Sequence, residues 1–429
     1  MAPAPSSPPP PGIYLPRSAL GIFAAVSILP WLVLLYVARQ WNPPGPAPAA
    51  EPVTAAEPGT VFHCKPGPWG DLQYNRIVIE PPENLIDVSQ VVPRPTVWVF
   101  TGYTPETLAA LWASVELPPA LRADIAQRKN WEQDAGGIVI RPTREFVVGL
   151  GAAARSRIYT ALSAFAENPD QKEPFRFRAD TSAEWFKDSG LSPETVALVE
   201  SLLYRRGNSL LFSDANVVLD ELKTIQDRTR LIKTLARKST LLVKLRISTG
   251  TDIEALDAYW DRGRRTKDLK PLLQSLVREG KGTTIDLIHL LPRLPRSLLY
   301  NYPAPNDAGT STFLDCHWTV LNFFNQQPDA RYEHLDEVTS AILHDYYAVT
   351  GPRVFGDILL FAQADGTIIH SCVYLADDIV FTKNGASANA PWILMNLPDV
   401  IAYYPSDVPV DVQTYRAKDP GAIRPATRP

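Results

Sequence analysis

Cysteine is scarce in this chain: Cys64, Cys316 and Cys372 are the only three in 429 residues, odd in number and far apart. That count supports no disulfide framework, and no two of them show the short spacing of a zinc site. A charge of one sign is missing too. Forty-two basic against 46 acidic residues leave a formal charge of −4, evenly spread, which speaks against nucleic acid as a partner. No glycine-rich phosphate loop and no internal repeat can be read. Neither a metal nor a cofactor is expected. With 45% hydrophobic residues the chain can bury a large core, and its length suggests two or three domains.

Proline, by contrast, is abundant at 41 residues, many of them within the first sixty. Residues 1–16, "MAPAPSSPPPPGIYLP", are a proline-rich tail with nothing to collapse around. Within 17–39, the run Ser18 to Ala38 carries no charge and as a helix would span roughly 30 Å, the thickness of a bilayer core. Arg17 and Arg39 bracket it, and Tyr14 and Trp41 sit at interfacial positions. A cleaved signal peptide is the competing reading, but its apolar core would be only about 7–15 residues. The expectation is a transmembrane anchor with the N-terminus in the cytoplasm. Residues 40–60 are then a proline–alanine spacer.

Residues 61–299 read as an α+β domain of unknown role. "NRIVIE", "PTVWVF", "GGIVIRP" and "TLLVKLRI" are strand-like. "TPETLAALWASV", "SPETVALVESLLYRR" and "TDIEALDAYW" are helices with readable caps. Two basic clusters, Arg228–Lys238 and Arg262–Lys270, are interleaved with acids and read as solvated helix faces.

Chemistry concentrates near the C-terminus, in residues 300–416, ahead of a short tail at 417–429. In "DCHWTVLNFF", Asp315 caps a helix whose first turn carries Cys316, and the free N–H groups and dipole there favour a thiolate. The alternative is a cysteine that merely packs a core, as Cys316, Val320 and Phe323 share a helix face. Of six histidines, His370 stands apart because it opens the strand–turn–strand "HSCVYLADDIVFTKNG". Alternation puts His370, Cys372 and Tyr374 on one sheet face. A three-residue turn, Ala376 to Asp378, would set Asn384 opposite the imidazole, whereas a two-residue turn would flip it away.

"DCHWTVLNFF" followed by "GDILLF" and "DGTIIHSCVYLADD" resembles the NlpC/P60 family of papain-like cysteine peptidases. The resemblance covers Tyr300 to Tyr404 and departs from the usual Asp-Cys-Ser-Gly by placing His317 and Trp318 after the cysteine. It implies a helix packed on an antiparallel sheet, with Cys316 as nucleophile, His370 as general base and Asn384, or alternatively Thr382, as the polar third member. Gly356 and Asp357 match the family's strand start, and Asp315, His317 and Tyr300 (or Tyr302) fall at supporting positions. It also implies an enzyme of the bacterial inner membrane, its soluble part periplasmic, cleaving amide bonds in peptidoglycan stem peptides or an envelope peptide. The alternatives are a catalytically silent envelope scaffold, and a cysteine acyl or amide transferase.

Overall fold

The computed structural model describes residues 59–128, 131–134, 136–178, 185–206, 209–262, 269–280, 282–304, 314–404 and 410–419. The expected anchor lies outside these residues, as does most of the spacer. No helix among the described residues is long and apolar enough to cross a membrane. The chain is a mixed α+β protein built on antiparallel sheets.

Strand β1 (Phe62–His63) pairs with β2 (Asp71–Ile79), and the chain then leaves this sheet until Lys238. The excursion builds two three-stranded sheets. The first joins β3 (Trp98–Thr101), β4 (Trp131–Asp134) and β5 (Gly137–Ile140) in the order β3-β5-β4. The second joins β6 (Phe175–Arg178), β7 (Tyr204–Arg206) and β8 (Ser209–Phe212) in the order β6-β8-β7.

Both sheets run from a strand through helix to a hairpin and on to a further helix, the first with an additional helix, Pro119–Ala126, ahead of its hairpin. The first helices, Pro105–Ala113 and Pro193–Ser201, both start with a hydroxyl cap, Thr104 or Ser192, and proline at the first position. The second helices are Arg144–Gly149 and Ala215–Glu221. The two sheets share a pairing order, although no repeat is readable in the sequence. Only "PET" recurs at the equivalent caps, because the pairing order constrains strand pattern and not residue identity. Both sheets share one core that includes Trp98, Phe146, Tyr159, Tyr204 and Phe212. Within it Arg155 pairs with Asp214 at 3.2 Å, while the Tyr159 hydroxyl donates to the same carboxylate at 2.6 Å.

The chain returns as β9 (Lys238–Ile247), which pairs with all of β2, and β10 (Thr283–Asp286) completes the order β1-β2-β9-β10. The pair of small sheets is thus inserted between two neighbouring strands. The basic clusters behave mainly as solvated faces: Arg230 pairs with Asp227, Lys233 and Arg237 with Glu80, and Lys270 with Glu254. Lys238 departs from that expectation. It opens a central strand and is only 9% exposed.

The remaining strands are β11 (Tyr346–Ala348), β12 (Ile358–Ala362), β13 (Ile368–Ala376), β14 (Ile379–Lys383), β15 (Trp392–Asn396) and β16 (Asp411–Ala417). They form a six-stranded antiparallel sheet in the order β11-β16-β12-β13-β14-β15. Thr240 stitches β9 to β15, its hydroxyl donating to the Leu394 carbonyl and accepting from the Leu394 N–H, both at 3.0 Å. The Tyr300 hydroxyl donates to the Leu241 carbonyl at 2.7 Å and that of Tyr302 to the Ala236 carbonyl at 2.7 Å. One core runs from Leu241, Val243 and Leu245 through Val320 and Phe323 to Val373 and Phe381, so it crosses the boundary drawn at 299/300. Residues 55–429 form one compact unit.

Gly356 lets β12 start where it does. It holds φ +87°, and a Cβ there would meet Phe324 Cζ at 2.2 Å. Asp357 next to it is fully buried and held by Arg416 at 2.8 Å, with Arg262 at 3.7 Å. Left-handed strain and overpacking together predict that Gly356→Ala loses about 2–4 kcal/mol of stability. Denaturant unfolding of the variant against the parent protein checks this.

Candidate active site

The helix Cys316–Leu321 begins at Asp315, whose carboxylate accepts the Trp318 N–H at 2.8 Å. That bond satisfies one of the orphan donors of the first turn, and at such a cap it contributes about 1 kcal/mol. Below the cap, the helix packs on the sheet through Trp318, Val320, Leu321 and Phe323, which join Val373, Leu375 and Phe381 in the main core. Trp318 points into that core and stacks near Trp392, with ring centroids 6.2 Å apart, so it is a packing residue. Cys316, 7% exposed, is left at the helix start.

His370 sits near the beginning of β13 and is completely buried. Its ring lies against Tyr404, with centroids 4.3 Å apart and planes 21° from parallel, while Phe361 meets it edge-on at 5.1 Å. Two hydrogen bonds fix its tautomer. The Thr382 hydroxyl donates to Asn384 Oδ1 at 2.9 Å, so its oxygen is left to accept the His370 Nε2–H at 3.0 Å. A proton held on Nε2 leaves Nδ1, which is buried, as the basic nitrogen. Thr382 is therefore the direct partner of the imidazole and Asn384 stands behind it. The alternative third member, Thr382, thus makes the direct contact, with Asn384 next to it.

The hairpin explains how both residues reach the site. Of the two turn lengths considered, the structure has the shorter: two residues, Asp377 and Asp378, flanked by Ala376 paired with Ile379. A two-residue turn alone would have turned Asn384 away. A bulge between Tyr374 and Ala376 shifts the register back, giving Tyr374↔Val380 and Val373↔Phe381. Carried down the strands, that phase keeps His370, Thr382 and Asn384 on one face.

The three thiols show what this setting does. Burial, followed by the charges of Asp377, Asp378 and Asp71, pushes Cys64 up to about 12. Burial pushes Cys372 far up as well, with the Cys316 charge adding to it. Burial also opposes ionisation of Cys316, but there it is outweighed by the charge of His370, hydrogen bonding from His317 and His370, and the charge of His317. The Cys316 thiol falls to about 5. His317 moves the other way, raised despite its burial by its hydrogen bond to Cys316 and by the charges of Cys316 and Asp315. Its Nδ1 lies 3.0 Å from the Ser371 hydroxyl. The sulfur is thus served by one imidazole from its own helix and one from the sheet.

Of the residues singled out in the sequence, Asp315, Cys316, His317, His370, Thr382 and Asn384 are brought together. Tyr300 and Tyr302 are not, since their hydroxyls are spent on backbone carbonyls of the preceding segment. Any oxyanion donor from residues 305–313 lies outside the described residues. The sequence reading missed Tyr404, Ser371 and Lys383. Ser371 carried a weak signal, being next to His370 on the strand. Tyr404 carried none, because it reaches the ring from beyond the helix Leu397–Tyr403. Lys383 is fully buried, donates to the Gly385 and Ser387 carbonyls at 2.9 and 3.1 Å, and is pushed down to about 8 by that burial.

A thiolate exists above the thiol's pKa, so alkylation of Cys316 by iodoacetamide is expected to rise with pH through about 5. In His370→Ala the midpoint should move up by several units, towards or above the ordinary value of about 8.5. Mass spectrometry of labelled peptides over pH 4–10 measures it, with Cys64 and Cys372 as internal references. Compared with protein-family models, curated proteins and solved structures, the chain matches none, and its function has to be argued from these residues.

Proposed function

We propose that the chain is a cysteine hydrolase of papain-like type that cleaves amide bonds in peptidoglycan stem peptides at the bacterial inner membrane, its soluble part facing the periplasm. The observation that carries this reading is the depressed Cys316 thiol, held against an imidazole whose tautomer is fixed by Thr382 and Asn384. Only the thiolate attacks a carbonyl efficiently, and a free thiol is a few per cent thiolate near neutrality. At about 5, Cys316 is almost wholly ionised there. The proton sits on an imidazole and is available for the departing amine, after which the same nitrogen deprotonates the water that hydrolyses the acyl-enzyme. The Cys316 N–H, at the first helical position, has no intrahelical acceptor and can serve the developing oxyanion. No metal is required by these residues for that sequence of steps.

A second reading has its own observation. Cys316 is nearly buried and His370 completely so, which suits a scaffold that keeps the papain-like arrangement without turnover. The full chain in detergent, incubated with purified peptidoglycan, separates the two. The hydrolase releases new free amino and carboxyl ends, seen by mass spectrometry, and Cys316→Ala lowers that release by at least about a thousandfold. Thr382→Val should cost roughly ten- to a hundredfold by freeing the imidazole tautomer, with kcat affected more than KM. New acylated products without free carboxyl ends indicate a transferase. No release by a protein whose Cys316 labels no faster than Cys64 indicates the scaffold.

A further inference from the structure

A cavity of about 230 Å3 shares a wall with the Cys316–His370 site. Asn384, which orients Thr382, lines it, and so does Tyr404, which stacks on His370. The opposite wall comes from the inserted unit and the start of β9, through Lys172, Glu173, Arg176 and Lys238. Three of those four are cations.

Lys238 and Arg176 are the informative pair. Lys238 is 9% exposed, its ammonium lies 5.9 Å from the Trp185 ring, and no carboxylate pairs with it among the described residues. Burial, and then repulsion by Arg176, pushes it down to about 8. Arg176 donates to the Tyr403 carbonyl at 2.9 Å and lies over the Tyr403 ring at 5.0 Å, again with no carboxylate partner. Glu173, the one acid on the wall, is exposed. Buried cations are ordinarily paired, because desolvating an ammonium without compensation is costly. Here a buried lysine and a half-buried arginine line one hollow whose only acid, Glu173, is exposed.

The geometry points to this cavity as a subsite for an anionic group, a carboxylate carried by the substrate beside the amide presented to Cys316. The assignment to substrate rests on the hydrolase reading above, whereas anion binding in the cavity does not. A carboxylate seated between Lys238 and Arg176 lies across the cavity from Tyr404 and Asn384, which support His370 and Thr382. Such a subsite favours acidic over neutral peptides by charge, not by shape.

Binding can be read without turnover. The full-length Cys316→Ala protein is titrated by calorimetry with N-acetylglutamic acid α-amide, with N-acetylglutamine α-amide and with inorganic phosphate. The first two differ by one charge at nearly constant shape. The acid is expected to bind at least about tenfold more tightly than its amide, a difference of about 1.4 kcal/mol. That ratio should fall towards one in Lys238→Met, fall partly in Arg176→Gln, and survive in Lys238→Arg. Melting followed by circular dichroism verifies that each variant is folded, and Arg176→Gln alone decides if Lys238→Met is not. Equal binding of acid and amide overturns the subsite, as does a ratio untouched by either substitution. Phosphate binding tighter than the acid overturns the carboxylate assignment. Failure of peptidoglycan cleavage with the charge ratio intact would remove the hydrolase reading and leave the anion site standing.

Discussion

A buried negative charge has to be compensated, and at Cys316 the compensation comes from two imidazoles. Burial, helped by neighbouring negative charge, drives the other two thiols of this chain upwards, one of them to about 12. The same burial acts on Cys316, yet the charges and hydrogen bonds of His370 and His317 reverse its effect. The low dielectric that penalises an isolated thiolate also strengthens its attraction to a neighbouring imidazolium. Each imidazole contributes to that reversal, His370 most through its charge and His317 through its hydrogen bond.

That interaction sets requirements on parts of the molecule far from the sulfur. The imidazole must present Nδ1, so Nε2 must be occupied, which Thr382 does only because Asn384 takes the hydroxyl proton. Both residues reach the ring only because the bulge between Tyr374 and Ala376 undoes the register shift of the two-residue turn. The sheet edge is in turn clamped to β9 by the Thr240–Leu394 pair of hydrogen bonds. Beta bulges re-aim side chains in this way without changing which strands pair.

The fold class and the principal site residues were legible because they depend on local pattern. Asp315 before Cys316 is a cap followed by an apolar helix, and His370 opens a strand whose alternation is plain. The Gly356–Asp357 strand start was placed by the family resemblance, and the structure adds a reason for the glycine in a left-handed φ packed against Phe324. What could not be read depends on long-range packing. Tyr404 arrives from beyond a helix, and the tyrosines at 300 and 302 are drawn away by carbonyls of β9 and its neighbour Ala236. The pairing order shared by the two small sheets could not be read either, because it needs no common residues.

Lys238 joins these two kinds of information. By sequence it closes a basic run and looks solvated, and in the structure its neighbours Lys233 and Arg237 do pair with Glu80 at the surface. One residue further on, the chain has entered β9, and alternation turns Lys238 inward. A strand-start cation facing inward without an acid is expensive for folding alone, since apolar residues would fill the same space at lower desolvation cost. Its position makes sense if the inserted unit does more than decorate the sheet. The excursion between β2 and β9 carries Arg176 to the far wall of the cavity, and the return strand carries Lys238. The insertion thereby builds half of a binding surface beside a thiol that the C-terminal sheet alone would leave without a selective neighbour.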